Sequence, residues 1–237
     1  MKERIWELDA ARGLFLIGVV IVHLLFDLTG LYGLFALDSP LFEFIAQWGG
    51  TVFLLLSGIC VTLGSHPVRR GLLVLTTGML VTAVTAGMFL LELQDASIII
   101  YFGVLHCLGV CMLLWPVFQK LPLWALGVVS AAALALGFCF QSIPVSFPWL
   151  IPLGFCPLGF ESSDFFPLFP SLGFFLLGAI LGKTLYRQKQ TLFPKIDSNT
   201  VPIRFLCQCG QLSLPIYLIH QPLLIGIIEL ALALRRL

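Results

Sequence analysis

Residues 12–27 read R-G-L-F-L-I-G-V-V-I-V-H-L-L-F-D. Between Arg12 and the pair His23 and Asp27 there is no polar side chain. The apolar run continues over 13–31, and a hydrocarbon core about 30 Å thick is crossed by ~20 mostly apolar residues at 1.5 Å each. Six further stretches meet that length: 45–64, 72–91, 98–118, 121–140, 168–186 and 212–234. Transmembrane β-strands are shorter and alternate apolar with polar residues, which these runs do not. The expected fold is therefore all-α: a polytopic membrane bundle of about seven helices, forming one domain over residues 1–237. Composition agrees, since 59% of the residues are hydrophobic and 11% charged, against roughly half and a quarter in soluble domains. The formal net charge of +1 excludes a nucleic-acid binder, which needs a strongly basic face.

The first run follows Lys2, Arg4 and Arg12 but no small-residue cleavage site succeeds it, so it reads as a retained helix rather than a signal peptide. With the amino terminus cytoplasmic, Lys2, Arg4, Arg12, Arg69, Arg70, Lys120, Lys183, Arg187, Lys189, Lys195 and Arg204 all fall inside, as the positive-inside rule asks. The opposite loops carry Asp38, Glu43, Glu92, Asp95, Glu161 and Asp164 and no Lys or Arg. Arg235 and Arg236 are then tolerated outside. The outer connection 141–167 holds Pro144, Pro148, Pro152, Pro157 and Pro167, which suits an extended or re-entrant lid. The inner connection 187–204 is polar and basic and reads as a solvated loop. No internal repeat suggests an inverted-repeat transporter.

An ionisable residue inside a span costs about 2.5–3.5 kcal/mol on insertion scales, which makes each one a functional candidate. Arg12 and His23 are eleven residues apart, about three turns, so they share a face and lie ~16 Å apart along the axis. Asp27 follows His23 at i+4, within reach of its imidazole. The stripe is a cation at the cytoplasmic mouth, an imidazole at depth, and a carboxylate able to orient that imidazole as a base. The plainer alternatives are a snorkelling Arg12 and a His23–Asp27 interhelical clamp. His106 lies in the fourth run; Ser213, Tyr217 and His220 share a face in the seventh, where Pro215 and Pro222 flank His220. His66 reads as a surface residue. Seven cysteines lie mostly in spans as small apolar residues, and neither Cys107 with Cys111 nor Cys207 with Cys209 completes a zinc set, so no metal is expected. Gly178 and Gly182 form a G-x-x-x-G suited to close helix packing or a homodimer contact.

The opening E-L-D-A-A-R-G-L (7–14), continuing to His23 and Asp27, resembles the first helix of the small bacterial relatives of heparan-alpha-glucosaminide N-acetyltransferase. F-L-L-L-S-G-I (53–59), Y-F-G-V-L-H-C-L-G (101–109), D-F-F-P-L-F-P-S-L-G (164–173) and S-L-P-I-Y-L-I-H-Q-P (213–222) extend the resemblance over nearly the whole chain. The spacing of Arg12 and His23 is also similar to that of integral-membrane acyltransferases that modify surface polysaccharides. The resemblance implies a multi-pass protein of a bacterial-type plasma membrane, an acetyl-CoA donor, Arg12 near the coenzyme and His23 at the transfer site. No counterpart of the large luminal domain of the eukaryotic enzymes is expected, and heparan sulfate is not the expected acceptor.

Resemblance and chemistry together imply acetyl or short acyl transfer from cytosolic acyl-CoA to a hydroxyl or amine of an extracytoplasmic sugar or glycan. Arg12, Arg69 and Arg70 are the expected phosphate ligands, since Arg grips phosphate bidentately. His23, oriented by Asp27, is the expected base. Asp164 is expected to position the acceptor under the proline-rich loop, and His106, Tyr217 or His220 to donate to the developing oxyanion. A covalent acetyl-imidazole is the alternative route. The rival function is a proton-coupled small-molecule transporter, in which buried His and Asp form a relay; a sensing or scaffold protein is the third.

Overall fold

The computed structural model describes residues 4–141, 143 and 145–235. Lys2, Pro144 and Arg236, which entered the charge and proline arguments, lie outside the described residues. Eight α-helices follow in order: α1 Trp6–Phe26, α2 Pro40–Leu63, α3 Pro67–Leu90, α4 Val104–Phe118, α5 Leu123–Gln141, α6 Leu168–Leu185, α7 Val201–Gln211 and α8 Ser213–Arg235. A π-helical turn, Asp27–Leu31, continues α1. Six helices (α1 with its π turn, α2, α3, α5, α6 and α8) are long and apolar enough to cross a membrane, and α4 is a shorter apolar helix. Among the described residues no strand forms, only two isolated bridges. The protein is an integral, multi-pass membrane protein, and large apolar side chains such as Leu14, Ile21, Leu80 and Leu230 on its surface are the ones lipid solvates.

The chain divides into two compact units, Met1–Phe53 with Lys189–Leu237, and Leu54–Gln188. In the second unit, glycines set the helix contacts. Membrane helices lack a hydrophobic force toward one another and gain by close van der Waals approach, which small residues permit. The bare face of Gly58 meets the main chain at Phe175 and Ala179, that of Gly178 meets Leu55, and that of Gly182 meets Ile59 and Thr62. The contact numbers rise together, so α2 and α6 run parallel. The G-x-x-x-G of α6 is thus engaged inside the unit. Gly71 packs on Gly109 and Met112 and Gly78 on His106, so α3 and α4 are antiparallel; Gly137 meets Pro170 and Gly173 meets Ser130 and Leu134, so α5 and α6 are antiparallel. Around these contacts Leu54, Val61, Cys107, Cys111, Trp115, Leu126, Phe175 and Leu176 form the core.

Parallel α2 and α6 require that each of the three helices between them reverse the chain, so α4 is itself a crossing. Its 15 residues span only ~22 Å. The extended residues before it lengthen the traverse, and inside a bilayer such backbone must find protein partners. It does: Thr85 Oγ1 accepts from Ile100 N at 3.2 Å, Ser162 Oγ donates to Ile99 O at 2.8 Å, and Phe166 N donates to Phe102 O at 2.9 Å. The fourth run therefore begins its helix at Val104 rather than at residue 98, because Gly103 caps α4 and the preceding stretch is held by side chains and residues 162–166.

In the first unit three contacts fix the sense of α1 and α8: His23 with His220, Asp27 with Gln221, and Tyr32 with Glu229, whose Oε1 accepts from Tyr32 Oη at 2.8 Å. They ascend together, so these helices are parallel, which an odd number of crossings between them demands. Counting α4 supplies that number. The inner connection is not a plain solvated loop. Glu7 accepts from Thr191 Oγ1 and Leu192 N, both at 2.8 Å, and Pro202 in the first turn opens α7. Gly13 and Gly210 meet the main chain of the opposite helix, at Leu206 and Asp9 respectively, so α1 and α7 cross without intervening side chains.

Candidate active site

The first unit gathers its polar groups at two levels of α1. Near the start, Asp9 is 6% exposed although it is a carboxylate, and its neighbours explain why. Arg12 Nη1 lies 3.4 Å from one oxygen, and Arg4 Nη1 and Gln211 Nε2 each lie 3.3 Å from the other. Arg12 is thereby held by the turn that precedes it, with about a quarter of its side chain open (28%). Asp9 was not legible as a site residue from spacing to His23, but an acidic residue three before an arginine in a first helical turn is a readable ion-pair signal. Beside it, Arg4, Trp6, Asp9, Ser198, Arg204, Cys207, Gln208 and Gln211 line a groove of about 290 Å³. Burial pushes the Cys207 thiol up, and the Asp9 and Glu7 carboxylates push in the same direction, partly offset by a backbone hydrogen bond from Ala10.

Deeper along α1, the ring of His23 meets that of His220 edge to face, with centroids 5.0 Å apart. The ring of Tyr217 also lies against His220, with centroids 5.3 Å apart. Asp27 is buried (1% exposed), but its carboxylate is not the partner of His23. Gln221 Nε2 donates to both of its oxygens, at 2.9 and 3.1 Å. The i+4 expectation fails because Asp27 opens the π turn and its side chain bonds to α8 instead of back along α1. Gln221, a residue the sequence argument passed over, ties Asp27 to the position next to His220.

His106 and Asp164, expected at the oxyanion and the acceptor, lie in the second unit and hydrogen-bond the main chain at the start of α4. His106 Nδ1 accepts from Gly103 N at 3.2 Å, so the neutral ring carries its hydrogen on Nε2 and donates to Thr82 Oγ1 at 3.1 Å; that hydroxyl donates in turn to Ile100 O at 2.5 Å. Both ring nitrogens are engaged. Asp164 Oδ2 accepts from Val104 N at 3.0 Å, capping α4 where the helix leaves its first N–H groups unpaired. Asp164→Ala and His106→Ala are each expected to cost about 1–3 kcal/mol, the penalty for stranding a buried N–H. Thermal melting in detergent checks this, and an unchanged melting temperature would refute the capping role.

Arg69 and Arg70 stand at the start of α3. With Ser65, His66, Leu72, Leu73 and Thr76 they line an open groove of about 560 Å³ in the second unit. The Arg70 guanidinium lies against the bare face of Gly64. Among the described residues no group of three or more His, Cys, Asp or Glu is placed to hold a metal ion.

Hydrocarbon-length helices with a buried imidazole, a half-buried imidazole and a buried carboxylate at the contact of a parallel pair define a polytopic membrane protein with an intramembrane polar centre. The chain belongs to the family described as heparan-alpha-glucosaminide N-acetyltransferase, catalytic, which matches residues 4–222. That makes it a member of a family of membrane acetyltransferases. No curated protein and no solved structure matches the chain.

Proposed function

We propose that the protein transfers an acetyl or short acyl group from cytosolic acyl-CoA to a hydroxyl or amine of an extracytoplasmic acceptor, a sugar or glycan, in a bacterial-type plasma membrane. The observation that carries this reading is the contact of His23 with His220 beside the buried Asp27–Gln221 pair. Each of these ionisable groups is costly at membrane depth, and acyl transfer needs what they offer: a base for the nucleophile and hydrogen-bond donors for the oxyanion. His23 and Asp27 are the proposed catalytic residues, Asp27 acting through Gln221 rather than through a direct bond to His23.

The coenzyme phosphates cannot enter hydrocarbon, so a cytoplasmic amino terminus places them at basic residues of that face. Arg69 and Arg70, which line a groove large enough for a diphosphate, are the proposed phosphate ligands in the second unit, and Arg12 is the proposed coenzyme-facing cation of the first. Changing Arg69 and Arg70 together to alanine is expected to raise KM for acetyl-CoA at least tenfold with kcat nearly unchanged, because a ground-state contact shared with the transition state acts on binding alone. Initial rates of thiol release measure both constants, and a fall in kcat at constant KM would contradict the assignment.

The reading as a whole is tested with purified protein. Acetyl-CoA should raise the melting temperature, as any ligand bound only by the folded state must, and an acceptor should provoke stoichiometric release of free thiol. Substrate flux in liposomes without thiol release would replace this reading by the proton-coupled carrier.

A further inference from the structure

We propose that His220 is the base that takes the acceptor's proton, and that the ligand facing its Nε2 is the protic acceptor rather than the thioester; this rests on the acyl-transfer reading above. His220 is buried, 7% exposed. Its Nδ1 lies 2.6 Å from the main-chain oxygen of Tyr217. A carbonyl oxygen only accepts, so Nδ1 carries the hydrogen, and in the neutral ring Nε2 holds a lone pair. That Nε2 is buried and has no hydrogen-bond partner.

The neighbouring residue repeats the pattern. Gln221 turns its amide nitrogen to Asp27, which points its Oε1 away, and this oxygen too is buried without a partner. Among the described residues of the first unit these are the buried side-chain polar atoms left unpaired, and both are acceptors. A buried acceptor is satisfied only by a group that brings hydrogen. A thioester carbonyl brings none, whereas a hydroxyl or an amine does. His220 in its neutral form therefore serves as a proton acceptor at Nε2, not as the oxyanion donor its position in the sequence suggested.

The acceptor oxygen or nitrogen attacks the thioester carbonyl carbon while its proton passes to His220 Nε2, and the carbonyl electron pair moves onto oxygen. When that pair returns, the C–S bond breaks and the thiolate leaves, recovering the proton from His220 Nε2. Ester or amide and free thiol are the products. The Tyr217 carbonyl holds the ring in the required tautomer and stabilises the imidazolium, the part an aspartate plays in hydrolase triads. The carboxylate held by Gln221, the ring of His23 and the phenol of Tyr217 are ionisable groups beside it.

Two measurements test the assignment on the full-length protein in detergent. In the first, acetyl-CoA is supplied with glucosamine as the probe amine. His220→Gln is expected to lose about 100-fold or more in kcat, the usual worth of a positioned base, while the acetyl-CoA thermal shift persists, and added imidazole should restore part of the rate to His220→Ala. An active wild type with His220→Gln within about threefold of it overturns the base role alone. A wild type that releases no thiol overturns the acyl-transfer reading, and the base role with it. In the second, nitrogen NMR of histidine-labelled wild-type protein should show His220 with a pyridine-type Nε2 and a pyrrole-type Nδ1, and addition of glucosamine should shift the Nε2 resonance. A protonated Nε2 in the neutral ring refutes the proposal whatever the variants do.

Discussion

Replacing Gly178 with leucine is expected to destroy the second unit, so that little monodisperse protein survives extraction into detergent. A Cβ at this position overlaps the main-chain oxygen of Leu55. That atom belongs to helix α2 and cannot swing aside as a side-chain terminus would. Relief requires α2 and α6 to separate, and the same seam is closed at Gly58 and Gly182, so a local shift reopens contacts along its length. Leu54, Phe175, Leu176 and Ala179, each at most 1% exposed, would lose packing together. Overpacking a filled core costs typically 1–3 kcal/mol, and a clash of rigid main chain belongs at or above about 3 kcal/mol. Gly127 supplies the control, since nothing lies within 4 Å of a Cβ built there. Gly127→Leu should extract and melt like the parent protein. If Gly178→Leu does so as well, the parallel α2–α6 contact is wrong, and with it the argument that α4 crosses the membrane.

Which parts of this architecture were legible beforehand follows from the range of the forces involved. Hydropathy acts locally, so residues 45–64 or 168–186 announce membrane helices without knowledge of any neighbour, although α1, α2 and α3 begin five to seven residues before the apolar runs do. The fourth run was misplaced at its start because Ile99 to Gly103 are as apolar as the helix they precede. Their extended form depends on Thr85, Ser162 and Phe166, all distant in sequence. Helix α7 was within reach: Thr200 and Pro202 mark a helix start, and Phe205, Leu206 and Gly210 recur at helical spacing. It was hidden by the basic residues that precede it. Along α1 and α8, Arg12, His23, Asp27 and His220 could be singled out because charge and imidazole are conspicuous in an apolar run. Their partners could not, because Asp27 is matched to Gln221 across 194 positions and no periodicity encodes that pairing. His106 and Asp164 also stand out in the sequence, and in the structure both hydrogen-bond the main chain at the start of α4, a partnership that spacing alone does not encode.

His23→Ala is expected to lower acyl transfer by roughly 10²–10⁴-fold, the range for loss of an acid–base or oxyanion group, while leaving the fold and the acetyl-CoA thermal shift in place. The fold should survive because the helix contact made by the imidazole is one edge-to-face meeting with His220, worth about 0.5–1.5 kcal/mol for aromatic pairs, and Asp27–Gln221 and Tyr32–Glu229 still join α1 to α8. Binding should survive because the proposed coenzyme ligands, Arg12, Arg69 and Arg70, are all retained in this variant. The two histidines are separable by the product each variant can form. If His23 is itself acetylated during turnover, wild-type protein given acetyl-CoA without acceptor should gain one acetyl group, detectable by mass spectrometry on the peptide containing residue 23, and His23→Ala should not. If transfer is direct, no labelled peptide appears in either protein, and the two single variants His23→Ala and His220→Gln fall in rate while the double variant falls little further, as residues acting on one transition state do. Near-normal thiol release by His23→Ala, from protein that still binds acetyl-CoA, would remove this histidine from the chemistry and leave it as packing for the ring of His220.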